Sequence, residues 1–248
     1  MAVSPADRTT AGPAPKSLQD LVIANHILAR HGVVDGFGHV SVRHTDRPDR
    51  FTMARSMAPA LVAIGDLLEF DLDGNPTAPD SPRAYLERFI HSEIYRRRPD
   101  VMTVVHHHSP SVIPFGVTGV PLRPIYHMSG FLGAGVPVFD IRCEAGETDM
   151  LIRTPALGCA HADCLGAASA TLMRGHGATV VGTSLQQVVY RAVYMEMNAR
   201  LQADALRLGT VTYLSEAEAQ LATATNDGQL QRPWELWAHE VTTARNHG

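Results

Sequence analysis

A chain of 248 residues, 45% of them hydrophobic, has enough apolar material for one large α/β domain or two small ones. A formal net charge of −4 without a polybasic cluster excludes an electrostatic case for nucleic acid or an anionic membrane surface. No stretch approaches the roughly 20 apolar residues of a membrane span, and three cysteines make no disulfide framework, so the expected setting is the cytoplasm. The expected partners are small molecules and copies of the chain itself, and thirteen histidines are the compositional oddity.

Residues 1–16 carry scattered prolines and polar residues without the apolar core of a signal peptide, and are expected to form a disordered tail. Ser17-Leu18-Gln19-Asp20 has the form of a capping box and opens an amphipathic helix that ends near His31-Gly32. The glycine-rich loop at Asp35-Gly36-Phe37-Gly38 runs into a short alternating strand from His39 to Arg43. Two more strands are predicted over residues 51–54 and 67–71, joined through Arg55-Ser56-Met57-Ala58-Pro59. Asp71-Leu72-Asp73-Gly74-Asn75 holds a tight Asp-Gly turn; a calcium loop is excluded because the chain lacks the Glu at loop position twelve. Asp80-Ser81-Pro82 reads as a helix start, which predicts a helix over residues 83–98 before Pro99. Glu87 and His91, four apart, share a face of it.

Residues 101–105 read as a buried strand, so His106 and His108 point one way and His107 the other. Two imidazoles side by side at a strand end can present two nitrogens to one metal ion. The turn-rich connection that follows contains His127, placed where loops display functional side chains. A strand over residues 136–141 and a helix over 154–165 come next; Cys159 and Cys164 in that helix lack a second pair and read as ordinary thiols. Residues 170–182 form two short strands whose tight turn has His176 at its apex, flanked by Gly175 and Gly177, the third candidate ligand. A long helix follows Ser184, a shorter one Ser215, and Trp234 and Trp237 suggest docking on another surface such as a neighbouring subunit.

A strand-borne His-x-His, a glycine-flanked His some seventy positions on and an upstream Glu together resemble the class II aldolase/adducin family. The resemblance covers residues 18–208 and implies an α/β three-layer sandwich around a mixed, mostly antiparallel sheet. It places the domain at residues 17–225, between the N-terminal tail and a C-terminal tail over 226–248. Matched residue by residue, the family's ligands fall on His106, His108, His176 and the helical acid Glu87. That set implies one divalent ion per subunit, Mn²⁺ or Zn²⁺, with Fe²⁺ also compatible. Phosphosugar aldolases of the family carry Gly-Asn, Thr-Gly and Ser-Ser where this chain has Gly38-His39, Ser56-Met57-Ala58 and Tyr85-Leu86. The phosphate cradle is therefore in doubt, and the pattern looks like the aromatic decarboxylase branch, of the dihydroxyphthalate and hydroxypyridine-dicarboxylate kind. The implied activity is decarboxylation of a hydroxylated aromatic acid. The alternatives are a retro-aldolase or epimerase on a sugar derivative and, least expected, a non-catalytic scaffold. Glu87 is the first candidate for proton transfer, with His39 and His127 behind it. Arg43 or Arg55, with Ser56, would hold a substrate carboxylate. Family members assemble as symmetric tetramers, which implies a homo-oligomer.

Overall fold

The computed structural model describes residues 16–246. In chain order it contains α1 (Lys16–Arg30), β1 (His39–Arg43), β2 (Arg50–Ala54), β3 (Leu67–Asp71), α2 (Arg88–Arg97), β4 (Thr103–His107) and α3 (Ile113–Val117). It continues with β5 (Val138–Phe139), α4 (Arg142–Ala145), α5 (Pro155–Leu165), β6 (Ala170–Met173), β7 (Gly177–Gly182), α6 (Leu185–Leu208), α7 (Glu216–Asp227) and α8 (Gln231–Asn246). The strands form one sheet in the order β3-β2-β1-β4-β7-β6-β5, antiparallel throughout except for the β5–β6 pair.

Alternation along β4 sorts the molecule into layers. Val105 joins a core with Leu21 and Leu28 of α1 and Val188 and Val189 of α6. Its neighbour Val104 joins the other core, with Ile90 and Ile94 of α2 and Leu165 of α5. One strand therefore feeds apolar side chains to both faces, as a sheet covered on both sides requires. The expected three-layer sandwich is what forms, and by the same alternation His106 lies on the α2/α5 side.

Several boundaries differ from expectation. The helix expected over residues 83–98 starts only at Arg88, because the chain before it bonds elsewhere. The Arg83 carbonyl accepts the Ser56 amide at 2.8 Å, the Tyr85 hydroxyl donates to the Met57 carbonyl at 2.5 Å, and Arg88 donates to the Tyr85 carbonyl at 3.1 Å. Glu87 is consequently at the N-cap position, outside the regular helix. Ser17 lies inside α1, and the expected N-terminal tail, apart from Lys16, falls outside the described residues. The strand of the histidine run is shifted to Thr103–His107, and β5 keeps only two of the six expected residues.

The C-terminal segment is continuous with the domain. Residue 226 lies inside α7, which packs on the 3₁₀ turn His127–Leu132, where Asn226 donates to the His127 carbonyl at 2.8 Å. Trp234 and Trp237, expected to face another surface, turn inward and join the α1/α6 core. The Trp237 ring meets His31, the residue after α1, edge-on at 4.8 Å and Tyr194 of α6 at 6.2 Å. Emptying that contact leaves a cavity the helices cannot close. Trp237→Ala is expected to cost about 3–5 kcal/mol in urea unfolding, with metal uptake on the opposite face of the sheet unchanged.

Candidate metal centre

Two segments bring three imidazoles together. His106 is the penultimate residue of β4 and His108 follows the strand end, two residues on; His106 stands opposite His39 of β1 and Thr179 of β7. His176 occupies the β6–β7 turn. Gly175 there has φ +64°, and a Cβ on Gly177 would lie 2.1 Å from the His107 carbonyl oxygen, so both flanks of the histidine require glycine. The Nε2 atom of His108 lies 2.9 Å from that of His106 and 3.0 Å from that of His176. Glu87 Oε2 is 3.5 Å from the Nε2 atoms of both His106 and His176. Ligand bonds of roughly 2.0–2.2 Å to a single ion separate neighbouring donors by about 3–3.6 Å, close to the 2.9–3.5 Å of these contacts.

The groups behind the donors fix their polarity. The Met150 carbonyl, an obligate acceptor, lies 2.9 Å from His176 Nδ1, so that nitrogen carries the hydrogen and Nε2 offers its lone pair to the cluster. Met150 has φ 69°, the one non-glycine residue with positive φ among the described residues, at a cost of about 1–2 kcal/mol. Two residues on, the Ile152 amide donates to Glu87 Oε1 at 2.9 Å. Burial alone would raise the Glu87 pKa. Its contacts with the His106 and His176 imidazoles outweigh it and hold the carboxyl well below its usual range. Burial pushes His106 down and, with the neighbouring imidazoles, pushes His108 down to about 3, so both rings are neutral. Burial opposes charging of His176 too, but Glu87 and the Met150 carbonyl raise its pKa.

A buried hydrogen-bonded chain leads away from the cluster. His39 Nδ1 lies 2.6 Å from His91 Nε2, His91 Nδ1 lies 2.6 Å from the Ser41 hydroxyl, and that hydroxyl lies 2.7 Å from the Tyr95 hydroxyl. Burial and the surrounding imidazoles hold His39 well below the usual pKa and His91 at about 3. Beside the cluster opens a cavity of about 340 Å³ whose walls include Phe37, His39, Ser56, Met57, Arg83, Tyr85, Leu86, Glu87, His108 and Leu151.

Residues 19–203 match the family described as Class II Aldolase and Adducin N-terminal domain. The chain belongs to the class II aldolase/adducin family. It is 42% identical to decarboxylase tropJ of Talaromyces stipitatus, covering 93% of this chain and 96% of that protein. It is 30% identical to the 3,4-dihydroxyphthalate decarboxylase of Arthrobacter keyseri, covering 89% and 91%. An aldolase II superfamily protein from Pseudomonas syringae has the same fold, with a TM-score of 0.78, 18% identity and 96% of each chain covered.

Within this family member the structure gathers Glu87, His106, His108 and His176 and sets His39 and Ser56 on the adjoining cavity wall. It does not bring the other expected residues there. Arg43 is buried against the end of α2, where its guanidinium bonds the Tyr95 carbonyl and, at 3.2 Å, the Arg98 carbonyl, with its carbon 4.8 Å from the Tyr95 ring centre. Arg55 is paired with Asp66 at 2.7 Å. His127 is exposed at the start of its 3₁₀ turn and is not on the cavity wall. Sequence reasoning passed over Arg83 as a site residue and singled out Tyr85 only as a departure from the phosphosugar pattern. It also passed over His91 as the partner of His39, although the spacing of His39 and Ser41 puts both on one strand face.

The alternation of β4 yields a paired test. His108→Ala is expected to lose bound metal by more than the roughly 10–100-fold that a change behind a ligand costs, while His107→Asn, on the other face, keeps it; metal analysis of purified protein reads both. A second expectation concerns acid. His91, His107 and His161 are buried with pKa values of about 3, against 6.5 in the unfolded chain, so between these values the unfolded state binds more protons. Stability is full above pH 6.5 and falls as pH drops toward 3. His161, whose ring nitrogens have no partner, isolates one such group. His161→Leu is expected to flatten the decline by about 1.4 kcal/mol per pH unit, measured by urea unfolding at pH 6, 5 and 4.

Proposed function

We propose that this chain is a divalent-metal-dependent decarboxylase of a hydroxylated aromatic carboxylic acid, a carbon–carbon lyase. The observation that carries the reading is a buried four-donor cluster opening onto a small cavity with flat walls. Two relatives named as decarboxylases, spanning nearly the whole chain, support it. His106, His108, His176 and Glu87 would hold one ion per subunit, manganese or zinc, with iron(II) compatible with the same donors. A cation held there supplies a Lewis acid that stabilises negative charge on an oxygen beside the breaking bond.

The rest follows from the chain's own residues. Phe37, His39 and Tyr85 give the cavity planar side chains suited to one aromatic ring, and Met57, Leu86 and Leu151 add apolar surface beside them. Tyr85 and Leu86 stand where phosphosugar aldolases of the family have their serine pair, so a flat acid fits better than a sugar phosphate. Glu87, held ionised, suits the role of ligand better than that of acid. His39 is neutral at rest, with Nδ1 tied to His91. Its Nε2 is the atom we assign to take up the one proton the reaction consumes from solvent and hand it to the ring carbon as CO₂ leaves, which returns the imidazole to its neutral form. We extend the reading to a homotetramer in the cytoplasm. Among the described residues no helix is long and apolar enough to cross a membrane.

The test is incubation of metal-loaded protein with 3,4-dihydroxyphthalate and related hydroxylated aromatic acids. Release of CO₂ is expected one for one with loss of the acid, and a chelator or His108→Ala stops it. His39→Phe is expected to lower kcat by roughly 10²–10⁴-fold with metal content intact. A carbonyl product formed from a sugar derivative without CO₂, or full turnover by metal-depleted His108→Ala protein, would overturn the proposal.

A further inference from the structure

The cavity wall carries one cationic side chain among the described residues, Arg83. Its surroundings are rich in arginines, and each of the others is occupied. Arg43 is spent on carbonyls at the end of α2, Arg55 on Asp66, and Arg88 on the carbonyls of Gly74 and Tyr85. The Arg83 side chain forms no hydrogen bond or ion pair with any described residue, although its own backbone is held. Its carbonyl takes the Ser56 amide at 2.8 Å, which joins the two segments side by side on the wall. The Ser56 hydroxyl likewise has no partner within the described chain, so two exposed residues on the cavity wall offer a guanidinium and a hydroxyl as donors that the fold does not use.

A guanidinium keeps its charge at every working pH and offers paired N–H groups in a plane, which matches a carboxylate with two parallel hydrogen bonds. We propose that Arg83, aided by the Ser56 hydroxyl, grips a second acidic group of the substrate, distinct from the one engaged at the metal cluster. The preferred substrates are then aromatic diacids, and Arg83 is the specificity residue that separates them from monoacids. This rests on the reading of the cluster and cavity as a decarboxylase site, and it moves the carboxylate clamp from Arg43 and Arg55 to a residue no sequence period singled out. Because Arg83 holds a group remote from the breaking bond, it contributes to binding in the ground state and the transition state alike, so its loss appears in KM and spares kcat.

The test compares wild type with Arg83→Gln and Arg83→Lys, each checked for unchanged metal content and thermal midpoint, on 3,4-dihydroxyphthalate and on 2,3-dihydroxybenzoate. Arg83→Gln is expected to raise KM for the diacid by roughly 10–100-fold and leave KM for the monoacid within about twofold, with Arg83→Lys between. Calorimetric titration of 3,4-dihydroxyphthalate into the same proteins is expected to show the same order in Kd. Equal effects on diacid and monoacid, or none on either, would overturn the clamp. Absence of CO₂ release by wild type would count against the decarboxylase reading alone, since the calorimetry still decides. An Arg83-dependent Kd keeps the clamp, and a Kd that is unaltered or undetectable removes it.

Discussion

Three imidazole nitrogens meet at 2.9 and 3.0 Å, where lone pairs facing one another repel unless a hydrogen or a cation lies between them. Burial disfavours an added proton on His106 and His108, while Glu87 favours one on His176. His176 spends its Nδ1 hydrogen on Met150 and aims its remaining lone pair inward. A shared cation satisfies all three at once, and the carboxylate of Glu87 at 3.5 Å lowers the net charge that must be buried with it. The surrounding structure is arranged around this convergence.

The loop at residues 150–152 shows how closely. Its carbonyl at Met150 accepts from His176 and its amide at Ile152 donates to Glu87. One short stretch thus orients a neutral ligand and an anionic one with the two opposite poles of the peptide group. The backbone strain at Met150 and the glycine at 177, where a Cβ would collide with the neighbouring strand, are local costs of that arrangement. They persist where the contacts around them, the His176 and Glu87 bonds at residues 150–152 and the β4–β7 pairing at Gly177, hold the chain in place.

The histidine pair and the fold are legible in the sequence because strand period is strict. Once residues 103–107 form a strand, His106 must share a face with Val104, and burial of both faces follows from the run of β-branched residues. What local pattern cannot convey is which distant segment covers a side chain. Arg43 lies on the expected strand face, but carbonyls of α2 reach it first; the cap signal at Asp80-Ser81-Pro82 loses to hydrogen bonds with residues 56 and 57. Arg83 and Tyr85 sit in that irregular segment, where no periodicity marks a side chain for the cavity. The tryptophans stand in a polar stretch of sequence, and only the positions of α1 and α6 show that their rings have a home within the same chain.

The fate of Arg43 and that of Glu87 have one cause. β1 runs alongside α2, so that His39 meets His91, Ser41 meets both His91 and Tyr95, and Arg43 meets the carbonyls of Tyr95 and Arg98. The N-terminus of a helix carries partial positive charge and its C-terminus partial negative charge. Glu87 at the first position and Arg43 at the last each find the pole that stabilises them, and neither could exchange places without opposing the helix. The candidate metal ligands gather near the N-terminal end of α2, where a carboxylate is least costly to bury. In the proposed clamp, the arginine for the substrate comes from a segment that this helix does not govern. Residues 83–86, lying ahead of the helix and tied to residues 56 and 57, are such a segment.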